Sequence, residues 1–131
     1  MKYVILIYGS PKNWQHPLFL QYGDLSSEER EQKLNAFDAF NRNLEASGKM
    51  VIGTPLAAPD VTKTLRERNG ELSITDGPFA EAKEHLAGFL VVECENIEEA
   101  YEIAQNFPDI KYAAVEIRQI GNEKHQYWGT N

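Results

Sequence analysis

Two long apolar runs set the frame of the chain. Tyr3–Tyr8 is continuous and rich in β-branched and aromatic residues, and Leu86–Cys94 is the second strongly apolar strand. Such runs suit strands covered on both faces, or covered on one face by helices and on the other by a partner. Gly9-Ser10-Pro11 ends the first. A third stretch, Tyr112–Ile120, alternates instead: Ala113, Val115 and Ile117 fall on one face, Ala114, Glu116 and Arg118 on the other. That pattern predicts a strand with one buried face and one partly wet face.

Helical spacing appears twice. Ser26 with Glu29 three residues on is a capping-box pattern, and Leu34, Phe37, Phe40 or Asn41, and Leu44 then share one side until Gly48 stops the helix. Asn96 and Glu99 repeat the cap. They open a helix whose apolar side is Ile97, Ala100, Tyr101, Ala104 and Phe107, ended by Pro108. Met50–Ile52 reads as a short strand before Gly53-Thr54-Pro55, and Ala57-Ala58-Pro59 as irregular chain. Val61–Arg68 and Glu71–Thr75 flank Asn69-Gly70, the strongest hairpin signal present. With only Leu65, Leu72 and Ile74 to bury, this hairpin is expected to project or to lie at an edge. Residues 12–25, with Trp14, Phe19 and Tyr22, read as an ordered loop placed to cover a pocket at the end of the first strand. Tyr127 and Trp128 suggest that the terminal segment packs on something, such as a partner subunit.

The order strand, helix, strands, strand, helix, strand fits two split βαβ halves around one antiparallel sheet, an α+β fold within a single domain, 1–131. Two helices cover only one face of that sheet. The apolar load of the strands predicts a second layer on the other face, and sheet-on-sheet packing of two copies supplies it at least expense. A homodimer is therefore expected.

Composition narrows the function classes. Charged residues make up 25% and hydrophobic ones 42%, as in ordinary folded domains. The formal charge is −7 with no basic cluster, which argues against a direct nucleic-acid partner. Cys94 lies in an apolar strand and reads as a buried small hydrophobe. The apolar start of the chain is too short for a membrane span and lacks a signal-peptide cleavage region. The expectation is a cytoplasmic protein without a membrane partner.

Candidate chemistry gathers around Thr75-Asp76-Gly77-Pro78-Phe79. Asp76 can accept hydrogen bonds from the backbone ahead of it, Gly77 can take positive φ, and Pro78 suits a first helical position. This predicts a sharp corner opening one helical turn, with Phe79 swung toward the core. A carboxylate beside an apolar ring can bind a small molecule; it can equally be a satisfied corner. His85 follows nine residues after Asp76, and the two make a catalytic acid–base pair if the corner folds back. Tyr8 can donate from the pocket wall, Phe79 can contact the ligand, and Lys83 can bind an anion. Otherwise Glu81, Lys83 and Glu84 are a solvated charge cluster. His16 is a surface residue or an acid–base group at the pocket mouth, and His125 sits among polar residues. No second His or Cys stands at metal-ligand spacing, and no nucleotide or phosphate loop is present, so neither metal nor cofactor is expected.

Asp76-Gly77-Pro78-Phe79, followed by Glu81, Lys83-Glu84 and Gly88-Phe89, resembles the signature of the YCII-related, or DGPF-domain, family. Met1–Gly9 and Val115–Arg118 are similar to that family's first and last strands, so the likeness spans nearly the whole chain. The resemblance implies a ferredoxin-like fold of the dimeric α/β-barrel type and a homodimer. More distant branches use a His–Asp pair, but His85 matches no motif for that histidine. Family members are often accessories encoded near extracytoplasmic-function sigma factors. Two functional expectations follow: a dimeric small-molecule protein with a cleft near the corner, with or without acid–base turnover, or a regulatory interaction module without chemistry.

Overall fold

The apolar runs become the middle of a sheet. In the computed structural model, which describes residues 1–9, 26–57, 59–79, 83–108, 110 and 113–121, the elements run β1 (Lys2–Gly9), α1 (Ser27–Ala46), β2 (Met50–Pro55), β3 (Lys63–Arg68), β4 (Glu71–Asp76), β5 (His85–Glu93), α2 (Ile97–Gln105) and β6 (Ala114–Gln119). Four strands form an antiparallel sheet in the order β2-β5-β1-β6, while β3 and β4 form a separate two-stranded sheet. The two split βαβ halves are thus as expected, with the hairpin inserted between the second and third strands of the main sheet. Expectations about His16 and its loop, Glu81, and the tail with His125, Tyr127 and Trp128 fall outside the described residues.

Both helices begin at the expected caps. The Ser26 hydroxyl accepts from the Glu29 N–H at 3.1 Å, and Asn96 Oδ1 accepts from the Glu99 N–H at 3.1 Å. Gly48, at φ +75°, stops α1. The helices cover one face of the sheet. Tyr3, Ile5 and Ile7 alternate onto it and join Leu90, Val92, Phe37, Leu44, Ala100, Ala104 and Phe107 in one buried cluster. Phe107 receives Phe37 and Phe40 edge-on, with centroids 5.2 and 5.8 Å away. Tyr101 departs from the expected stripe and is 45% exposed. The buried line of α2 runs through Ala100 and Ala104, and Ile103, not Tyr101, packs against its flank.

β2 continues three residues past the expected Ile52, since Gly53, Thr54 and Pro55 pair with Leu90, Phe89 and Gly88. A proline is tolerated there because β2 is an edge strand. The pairing is close: a Cβ on Gly88 would lie 2.9 Å from the Thr54 carbonyl oxygen and 3.2 Å from Pro55 Cα. Both obstacles are backbone. Gly88→Ala is accordingly expected to destabilise the fold by about 1–3 kcal/mol, as overpacking does, read as a lower urea midpoint at unchanged slope.

No helix among the described residues packs on the second face of the sheet. Cross-strand partners place Val4 with Val91 and Leu6 with Phe89 on it, and Tyr8 with Leu86 beyond a bulge at Ala87. Val4, Leu6, Tyr8, Phe89 and Val91 are half-buried there, and Leu86 and Ile52 at the margin are exposed. The hairpin turns at Asn69 and Gly70, both at positive φ, as a type I′ turn requires. It projects from the main sheet, and its aliphatic face is open: Leu65, Leu72 and Ile74 are 57%, 62% and 62% exposed.

Candidate functional site

The corner is built differently from the expectation. Gly77 does take positive φ, +88°. Its N–H donates to the Thr62 carbonyl at 2.7 Å, and its own carbonyl accepts from the Thr64 hydroxyl at 2.7 Å. These two threonines of the incoming hairpin hold the bend, so Asp76 is not needed for it. The Asp76 carboxylate instead pairs with the Lys63 ammonium, its cross-strand partner, and both side chains are largely exposed. Phe79 is not swung into the core. It is half exposed, with the Arg66 guanidinium 4.5 Å from its ring centroid, a cation–π contact on the hairpin side.

His85 opens β5 opposite Gly9, and its Nδ1 is buried with no hydrogen-bond partner among the described residues. No hydrogen bond joins it to Asp76 among the described residues, so the expected pair is not formed. Lys83 is exposed. Tyr8 stands on the open sheet face and hydrogen-bonds the Glu116 carboxylate. That bond, followed by burial and the Glu116 charge, raises the phenol above its ordinary range, with Arg118 opposing. Burial likewise pushes the Cys94 thiol up, with Glu99 adding to it, which suits a packed small side chain better than a nucleophile. No group of three or more His, Cys, Asp or Glu converges as a metal site among the described residues.

Lys63 and Glu116 escaped the reading of candidate residues, although both partnerships can be counted. Stepping outward from Asn69-Gly70 pairs residue 68 with 71 and hence 63 with 76. The alternation of β6 had already put Glu116 on the wetter face; only the register, with Leu6 opposite Glu116 and Tyr8 opposite Ala114, brings it beside Tyr8.

Hollows lie elsewhere among the described residues. A cavity of about 70 Å³ lies between Phe37, Phe40 and Asn41 of α1 and the paired ends of β2 and β5. A groove of about 640 Å³ runs between the helices, lined by Ala39, Leu44, Lys49, Ile103 and Asn106 among others. Neither includes Asp76 or His85. The first is smaller than typical small-molecule sites, which begin at roughly 300 Å³. No helix among the described residues is long and apolar enough to cross a membrane.

Known proteins share this frame. The chain is 36% identical over 81 residues to Uncharacterized protein R00369 of Rhizobium meliloti (strain 1021), covering 62% of this chain and 65% of that one. The match thus spans less than two thirds of that relative's length. In fold it is similar to the 5-chloro-2-hydroxyhydroquinone dehydrochlorinase (TftG) of Burkholderia phenoliruptrix AC1100, solved in complex with 2,5-dihydroxybenzoquinone. The TM-score is 0.50 and the identity 21%, over 97% of this chain and 100% of that chain. The model of the YCII-related domain matches residues 1–124. With that match running from β1 through β6, the chain belongs to the YCII-related family.

Proposed function

We propose that this protein binds a small organic ligand, working in the cytoplasm as a homodimer whose subunits shelter each other's bare sheet faces. The observation that carries the reading is the open face itself. Val4, Leu6, Tyr8, Phe89 and Val91 form a contiguous, largely apolar surface at the centre of the sheet, where monomeric proteins rarely leave one bare. A second copy matches it by symmetry, since a two-fold interface joins one patch to itself. Curved sheets meeting this way leave a cleft at their ends, and the Asp76 corner opens there. In this reading Asp76 and His85 carry any acid–base turnover, and Tyr8, Phe79 and Lys83 hold the ligand. That a protein of similar fold is solved with a small cyclic compound agrees with the reading.

The test combines sedimentation with a thermal-shift screen of organic acids and ring compounds on wild type and Asp76→Asn. Without ligand the variant is expected to lose less than about 1 kcal/mol, because the Lys63 pair is exposed. At least one compound is expected to raise the wild-type midpoint by several degrees and to lose that effect in the variant. A wild type that sediments as a lone subunit at micromolar concentration, and that no compound shifts, overturns the reading.

One observation favours a second reading, a regulatory interaction module of the kind associated with extracytoplasmic-function sigma factors. The exposed Leu65, Leu72 and Ile74 lie on one face of the hairpin, and a two-stranded ribbon is marginal in water unless that face is packed. A silent ligand screen together with an intact dimer supports this alternative.

A further inference from the structure

The open sheet face is not uniformly apolar. Towards β6, register places Arg118 opposite Val4, Glu116 opposite Leu6 and Ala114 opposite Tyr8, all on the side away from the helices. Glu116 reaches diagonally to accept the Tyr8 hydroxyl. Arg118 follows two residues on along the same face. Next to the phenol, Ala114 contributes only a methyl group, so the polar groups stand beside low ground. Leu86 flanks the phenol on the other side, and Phe89 lies across from Leu6.

A purely structural role fits this arrangement poorly. Charges on an edge strand discourage unwanted pairing, but that purpose needs no phenol bonded to the carboxylate. If a second copy covers the face, a dry contact would strip water from Glu116 and Arg118, a cost that mutual attraction of the ions does not by itself recover. The face is therefore suited to be covered only with a polar hollow kept along its β1–β6 half.

We infer that Tyr8, Glu116 and Arg118 form the polar end of a binding site for a small planar ring anion carrying a hydroxyl group, with Leu6, Phe89 and Leu86 as its apolar floor. Arg118 supplies a two-pronged donor for the anionic oxygen. The Tyr8 hydroxyl gives its one proton to Glu116 and holds the carboxylate in place, so the other Glu116 oxygen is the one that accepts the ligand hydroxyl. An apolar lining with a few convergent polar groups is the usual make-up of a small-molecule site, and the cover from the second copy supplies the concavity that such a site needs. This inference rests on the small-molecule reading above, but moves the ligand's polar contacts from the Asp76 corner to β1 and β6.

The test uses the full chain and 4-nitrocatechol, whose visible absorption reports its environment. Wild type is expected to give a saturable spectral change. Arg118→Gln is expected to weaken binding about tenfold or more, equivalent to losing one charge-assisted hydrogen bond, with Arg118→Lys recovering part of it. Tyr8→Phe and Glu116→Gln are each expected to weaken it by a few-fold to tenfold, while Glu45→Gln on α1 leaves it unchanged. Far-UV circular dichroism checks each fold, and Tyr8→Phe keeps the test open if Glu116→Gln fails to fold. No saturable change in wild type overturns the inference. So does equal binding by wild type and the folded variants of these three residues. If Asp76→Asn alone abolishes binding, the corner reading stands and this inference falls.

Discussion

Ile5→Ala is expected to destabilise the protein by roughly 2–5 kcal/mol, the largest single effect foreseen for this chain. Ile5 is 1% exposed, at the centre of β1, with Leu90 on one neighbouring strand and Ile117 on the other. The helices close over it, so truncation leaves a void that cannot refill without moving α1, α2 or the sheet. Against a typical total of 5–15 kcal/mol, the loss is a large share. Urea denaturation checks it. A shift below about 1 kcal/mol would mean that the helices are not seated on this face.

Val91→Lys is expected to do the opposite: spare the subunit and break the pair. Val91 faces away from the helices, between Val4 and Ile52, whereas its neighbour Val92 is fully buried beneath them. In an isolated subunit the lysine extends into water past Glu93, two residues along on the same face. In the proposed dimer each copy brings one such charge into an apolar contact. Even about 1.4 kcal/mol from each raises the dissociation constant roughly 100-fold, and desolvation of unpaired ions usually costs more. Sedimentation at micromolar concentration is expected to show a single subunit with unchanged circular dichroism. The thermal midpoint should also lose its dependence on protein concentration. An intact dimer in this variant would place the contact elsewhere on the molecule.

These contrasts show which features of the fold were legible from residue order. The strongly apolar stretches Tyr3–Tyr8 and Leu86–Cys94 became the two central strands because only a central strand is flanked and covered enough to need them. Ser26 and Asn96 marked the helix starts because their side chains satisfy amide groups that the helix leaves without partners. The site was less legible. Asp76 and Phe79 read locally as a self-contained corner, but Lys63 and Arg66, both on β3, take up their side chains. Local turn chemistry competes there with cross-strand pairing, and the hairpin register decides. Tyr8 was readable as a polar group at a strand end, whereas its bond to Glu116 depends on the far end of the chain. Tyr101 failed for a plainer reason: a short helix over a sheet buries a narrow stripe, and alanines suffice to fill it.

The point at which the hairpin joins the sheet has a consequence for how such a chain diversifies. β2 and β5 are adjacent, and the Leu56 N–H still donates to the Ala87 carbonyl at 2.8 Å just past the end of β2. The polypeptide therefore leaves and re-enters the main scaffold at nearly one spot. Everything between is an excursion whose length matters little to the remainder, since doubling a flexible loop adds only about 0.6 kcal/mol of closure entropy. An ancestor could trade this segment for a short connector, or a longer appendage, without re-laying any strand beneath it.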